Sequence, residues 1–157
     1  MAGTNWALAV GGVVSNKAAG QRFETKCKKY LESLGFVVDK ARAALHFIGP
    51  GKFFSSPCDF FGAADLMAIH PQKDYTLFVQ CHKGSSLKPR REKLEKVPWN
   101  FKVQRVQLWT DDETTRGGIR TLSLIVEVGR YVPPTAIWSE HRWKMKTGQY
   151  PEAVGVL

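Results

Sequence analysis

Residues Ala64 to Gly84 read ADLMAIHPQKDYTLFVQCHKG. Two apolar runs, Ala64–Ile69 and Thr76–Lys83, flank a turn at His70–Tyr75 that contains Pro71 and Asp74. Runs of this length, rich in β-branched and aromatic residues and bounded by turn formers, predict two neighbouring strands. Side chains alternate faces along a strand. Asp65 therefore shares a face with Met67 and Ile69, and Phe78 with Gln80 and His82, while Val79, Cys81 and Lys83 take the opposite one. If the strands are neighbours, Asp65 and Gln80 converge at one end of the sheet.

Upstream, Ser15 or Asn16 can cap a helix that runs to about Leu34, with Gly35 as its stop. Phe23, Cys27, Tyr30, Leu31 and Leu34 recur at helical spacing. Glu24 falls at the border of that stripe, where a helix packed across the sheet can bring it to the same end. Phe36–Arg42 predicts a further strand. Residues 45–62 carry Gly, Pro and Ser punctuation and are expected to be a loop. Its phenylalanines, Phe47, Phe53, Phe54, Phe60 and Phe61, are expected to plug the edge of the core rather than meet a partner.

Downstream, a basic helix is expected from near Pro89 to before Pro98, then strands at Val103–Trp109 and Thr121–Val128 around the polar loop TDDETTRGG. The tail beyond Arg130 is read as irregular, available for dimer or DNA contacts. The order αβββαββ predicts an α/β fold with a mixed central sheet flanked by helices.

A chain of 157 residues suits one domain, here 1–157 with its core at about 16–130. With 43% hydrophobic and 24% charged residues, disorder is excluded by composition. No apolar run approaches the roughly 20 residues of a membrane span, and no basic segment precedes the N-terminal apolar stretch as in a secretory signal. The expected location is the cytoplasm. Cys27, Cys58 and Cys81 are too few and scattered for a disulfide framework and are expected to be small buried apolar groups.

The net charge is +9, with a pI of about 9.6, and the excess is concentrated. Lys88, Arg90, Arg91, Lys93, Lys96 and Lys102 crowd one segment against only Glu92 and Glu95. Such a cluster attracts phosphate backbones by counterion release, without reading sequence. Asp65, the Gln80 amide oxygen, the Cys81 backbone carbonyl and Glu24 form an oxygen-donor set suited to magnesium. There is no P-loop, GxSxG or HExxH motif to suggest other chemistry.

GQRFE, ADLMAI and LFVQCHKG, in that order, resemble the core of the PD-(D/E)XK nucleases, whose fold is restriction-endonuclease-like. FETKCKKYLESLGFVV and the serine-bearing loop sharpen the likeness to Holliday junction resolvases of archaea and phages. It covers residues 16–97. The resemblance implies a magnesium-dependent endonuclease, with manganese as a substitute, that acts as a homodimer and nicks a four-way DNA junction in pairs. If the chain is phage-encoded, the cytoplasm is the host's.

By position, Glu24 matches the helix glutamate, Asp65 the strand aspartate and Gln80 the second ligand in its glutamine variant. The motif lysine would fall at His82. Either His82 fills that role or a bulge turns Lys83 inward, and Lys83 is favoured. Ser56 or Ser55 corresponds to the loop serine, and Asp59 is a further acid. Lys88, Arg90, Arg91, Lys93, Lys96, Lys40 and Arg42 are the expected DNA contacts. The rival expectations are another nuclease of this core, of repair or restriction type; a catalytically impaired DNA-binding relative; and a basic structural protein that docks its aromatic loop on a protein partner.

Overall fold

The computed structural model describes residues 16–56, 58–126 and 136–145. Periodicity at the start resolves into helix α1, Asn16–Ser33, whose Phe23, Cys27 and Leu31 are buried. Gly35 ends it: its φ is +92°, Gly35 N–H donates to Glu32 O, and Phe36 N–H donates to Leu31 O at 3.2 Å. This satisfies carbonyls that the helix end would otherwise leave bare. A Cβ added at Gly35 would lie 2.9 Å from Nε2 of His70. Gly35→Ala should therefore destabilise the fold by about 1–2 kcal/mol through the left-handed backbone alone. Urea unfolding checks this; unchanged stability would contradict it.

Strands β1 (Val37–Lys40), β4 (Leu66–Ile69), β5 (Thr76–His82), β6 (Gln104–Asp112), β7 (Gly118–Val126) and β8 (Ala136–Lys144) form one six-stranded sheet in the order β1-β4-β5-β6-β7-β8. β4 and β5 pair antiparallel, with Met67 opposite Phe78 and Leu66 opposite Val79. β5 and β6 run parallel, with helix α2 (Lys88–Glu95) lying between them in the chain. The fold is α/β with a mixed central sheet, as expected.

The two faces of the sheet bury different clusters. Phe23, Cys27 and Leu31 of α1 pack on Leu66, Leu77, Val79, Cys81 and Trp109. Leu94 of α2 and Trp99 pack on Phe78, Val106, Leu108, Leu122 and Leu124. Each fully buried leucine contributes on the order of 2 kcal/mol. Two buried polar side chains in the sheet are linked: Trp109 Nε1 donates to Gln107 Oε1 at 2.8 Å, and Gln107 Nε2 to Ser123 Oγ at 3.0 Å. Among the described residues, no helix is long and apolar enough to cross a membrane.

Four expectations change. Residues 44–56 are not a loop but a hairpin, β2 (Ala44–Gly49) and β3 (Lys52–Ser56), forming a second, two-stranded sheet. Its phenylalanines do not plug the core: Phe47, Phe53 and Phe54 are each more than half exposed, because no other described strand or helix packs extensively on the hairpin. Only Phe60 of the five joins the core edge; Phe61 leans on Phe78 and Trp99 yet stays exposed. Cys58, beyond the hairpin, is exposed as well, whereas Cys27 and Cys81 are buried as expected.

The tail is also not irregular at 136–144, where β8 pairs with β7. Trp143 enters the core and donates from Nε1 to Thr121 Oγ1 at 2.7 Å. The sheet thus extends past residue 130. The remainder of the tail, and Ser15, lie outside the described residues.

Candidate active site

Asp65 stands one residue ahead of β4, and backbone bonds hold it on both sides. Its N–H donates to Val79 O at 2.9 Å, and its carbonyl accepts from Ala41 N–H at 2.8 Å. Its side-chain Oδ2 accepts from Cys81 N–H at 2.8 Å and from Gln80 Nε2 at 2.5 Å. The same Nε2 donates to the Cys81 carbonyl at 3.2 Å. The two strand ends therefore bring a carboxylate, an amide and a backbone carbonyl to one point, as alternation predicts.

Gln80 is 2% exposed, and its Oε1 is buried without a hydrogen-bond partner. An unsatisfied buried acceptor costs about 1–3 kcal/mol, so this oxygen calls for a cationic or donating partner. The amide's two ends interchange by rotation about its last carbon–carbon bond, so the amide can offer oxygen to a cation. Burial pushes the Asp65 carboxyl up to about 7; the Cys81 N–H opposes this, the Glu24 and Asp59 carboxylates add to it, and Arg90 counters it. A cation would remove that penalty. The donor chemistry fits magnesium: a carboxylate, an amide oxygen and a carbonyl, with water completing the shell. Among the described residues, no cluster of three His, Cys, Asp or Glu side chains forms a metal site by itself. Burial also pushes the Cys81 thiol well up, leaving its carbonyl as the usable donor at neutral pH.

Around this point lies a cleft of about 960 Å³. It sits where the sheet ends, beside the carboxyl ends of the parallel strands β5 and β6, a common place for ligands in α/β folds. Glu24, Asp59, Asp65 and Asp111 line it together with Gln80, Cys81, His82, Lys83, Arg90 and Lys93. Glu24 arrives from the α1 side and Gln80 from the α2 side, and both line the cleft near the point where the β4–β5 ladder ends at Leu66 and Val79. Lys40 Nζ holds Glu24 at 2.9 Å, so Lys40 neutralises that carboxylate instead of standing free for phosphate.

The β5–β6 register is unbroken from Thr76 to His82. No bulge intervenes, so His82 keeps the face of Gln80, and Lys83 lies past the end of the ladder, exposed at the cleft wall. Burial and Arg90 lower the His82 pKa, with Asp111 opposing, so its imidazole is neutral at pH 7.

Ser56 is not brought into the cleft. It ends β3, where its hydroxyl bonds His46 Nε2 at 2.9 Å; Ser55, on the same strand, is exposed. Of the expected DNA contacts, Arg90 and Lys93 line the cleft. Lys88 and Lys96 are exposed on or just after α2, and Arg42 is exposed just after β1. Arg91 lies over the Trp138 ring at 5.7 Å, which makes it a packing residue.

Sequence reasoning missed Asp111, assigning it to the polar loop. β6 runs on to Asp112, and Asp111 Oδ1 accepts from Gly84 N–H at 3.3 Å. The alternation Val106, Leu108, Thr110 was the available signal. Asp112, by contrast, is tied to Arg142 at 3.0 Å and braces the strand ends.

Because burial pushes the Asp65 carboxyl up to about 7, it is partly protonated at neutral pH, and magnesium binding there should release protons. Calorimetric binding enthalpy should then depend on the ionisation enthalpy of the buffer, and affinity should fall about tenfold per pH unit below pH 6. A buffer-independent enthalpy would place the metal elsewhere.

No protein-family model, curated protein or solved structure matches this chain.

Proposed function

We propose that this chain is a magnesium-dependent, structure-specific DNA endonuclease of the PD-(D/E)XK type that nicks four-way junctions, two copies acting as a pair. The observation that carries the reading is the convergence of Asp65, Gln80 and the Cys81 carbonyl beside Glu24, in a cleft whose other wall carries Arg90 and Lys93. Oxygen donors beside fixed cations suit a metal ion and a phosphodiester together.

Asp65, the Gln80 amide oxygen and the Cys81 carbonyl would hold the ion, with Glu24 nearby. The chemistry supplied by bound magnesium is polarisation of the scissile phosphate and a water of lowered pKa. His82, neutral and on the Gln80 side, orients the attacking water and takes its proton. Arg90, a permanent cation whose charge is felt at both Asp65 and His82, meets charge developing on the phosphate. Lys83 and Lys93 hold flanking backbone by phosphate contacts that carry no sequence information. Two copies related by a two-fold axis match the symmetry of a four-way junction.

The test is cleavage of a four-way junction and of a linear duplex of the same sequence, with magnesium or with EDTA. Paired nicks confined to the junction and abolished by EDTA are expected. Equal cleavage of the linear duplex would instead indicate a repair or restriction nuclease. A second reading, a DNA-binding relative without catalysis, is favoured by His82 standing where the motif has lysine. Junction binding that survives EDTA, with no nicking in magnesium or manganese, would select it.

A further inference from the structure

The β2–β3 hairpin has no role in the chemistry above, yet it is the most apolar exposed feature among the described residues. Leu45, Phe47, Ile48, Phe53 and Phe54 are each more than half exposed. We propose that this hairpin is an apolar wedge that enters the branch point of the DNA held in the cleft, so that preference for branched DNA resides in the arm. The proposal rests on the nuclease reading and deepens it.

Position is the first argument. The arm springs from the cleft's own lip: Lys40, just before it, holds Glu24, Ala41 N–H bonds Asp65 O, and Asp59, just after it, lines the cleft. The base of the arm thus lies beside DNA held in the cleft. Reach is the second. A strand of six residues, as in β2, extends roughly 20 Å, more than the roughly 12 Å width of a major groove.

Composition is the third. Phe47 and Phe53 face each other across the strands, ring centroids 5.7 Å apart, beside the Gly49-Pro50-Gly51 turn. Phenylalanine, isoleucine, leucine and proline are the side chains that proteins insert between base steps. Charge decides the occupant. From Ala41 to Cys58 the sequence contains Arg42 and Lys52 and no acidic residue. That suits phosphate, whereas two such arms from two copies would set cation against cation.

Selectivity follows. A wedge entering linear duplex must first unstack a base step, which costs free energy. At a branch, the flanking base pairs can separate with less loss of stacking. The cleft binds either DNA through phosphates; the arm adds affinity only where stacking is already broken.

The experiment compares the full chain with a Phe47→Ala/Phe53→Ala variant, both side chains being exposed and outside the core. Binding to a four-way junction and to a linear duplex, each with 2-aminopurine at the corresponding central step, is measured in EDTA. The intact chain is expected to prefer the junction at least tenfold and to raise 2-aminopurine fluorescence there. The variant should lose that preference about tenfold and the fluorescence response, keep linear-duplex affinity and its salt dependence, and recover both losses as Phe47→Tyr/Phe53→Tyr. Undiminished junction preference in the alanine variant would overturn the proposal. So would sedimentation showing that the variant dissociates a dimer formed by the intact chain, which would make the arm a contact between copies. If the intact chain binds neither DNA at low salt, the nuclease reading has failed, and the wedge with it.

Discussion

Replacing Asp65 with asparagine is expected to abolish magnesium-dependent junction cleavage while making the metal-free protein more stable above pH 7. The loss of rate should be on the order of a thousandfold or more, beyond the roughly 10–100-fold that follows loss of a group merely orienting a ligand. Stability moves the other way because burial holds the Asp65 carboxyl at about 7 in the fold, against an ordinary 3.8. Its protonated form is favoured in the folded state, so the contribution is fully present below about pH 4. It is lost as pH rises through about 7, and the native state then carries an ionised buried carboxylate. That costs at most about 4 kcal/mol. Asparagine does not titrate, and its amide oxygen can still accept from Cys81 N–H. The difference between the two proteins in urea unfolding, in EDTA, should therefore grow from pH 4 to pH 7.5 and shrink when magnesium is added to the unmodified chain. Cleavage by Asp65→Asn at the original rate would remove the site from the mechanism. Lower stability of the variant throughout that range would mean that Asp65 holds the fold together and does not await a cation.

His82→Ala should lower the nicking rate by about a hundredfold, the scale of a lost general base, and Lys83→Ala by roughly tenfold or less. The unbroken β5–β6 register keeps His82 on the Gln80 side, whereas Lys83 is exposed at the cleft wall. The pH profile separates the two further. The proposed mechanism needs Asp65 ionised and His82 neutral, so the rate should climb with pH and level off above about 7. Burial and Arg90 have already lowered the pKa of His82, so the climb should follow Asp65 and survive in His82→Ala at reduced height. If Lys83→Ala is the more damaging change, Lys83 is the motif amine, and the strand must bulge on DNA to deliver it.

The candidate site was legible because the residues that meet there lie in regular elements with a fixed period. Alternation along two strands separated by a six-residue turn sets Asp65 beside Gln80 once the strands pair, and the helical stripe of Phe23, Cys27 and Leu31 puts Glu24 at its border. Asp111 was hidden because strand length depends on the neighbour: β6 continues to Asp112 by pairing with β5 and then with β7. β8 was hidden for a similar reason. In AIWSEHRWK the two tryptophans are five residues apart, so they serve opposite faces, Trp138 against the α2 side and Trp143 against the α1 side. No apolar alternation marks such an edge strand. The hairpin misled differently. Both of its faces are apolar, a pattern that elsewhere means burial, and nothing within residues 45–62 says whether the rest of the chain arrives to cover it.

By itself, the sequence determined the local matters: where α1 stops at Gly35, which side chains of residues 64–84 share a face, and how positive charge is concentrated around α2. Helical and strand periods, turn residues and charge act over a few positions, so they can be read in order along the chain. Only the tertiary structure decided that Glu24 and Gln80 line one cleft, that Lys40 neutralises Glu24, that Ser56 stays on the hairpin, and that five large apolar side chains remain uncovered. Each of those depends on which distant segments compete for the same surface, and burial of that kind is settled only when the whole chain has packed.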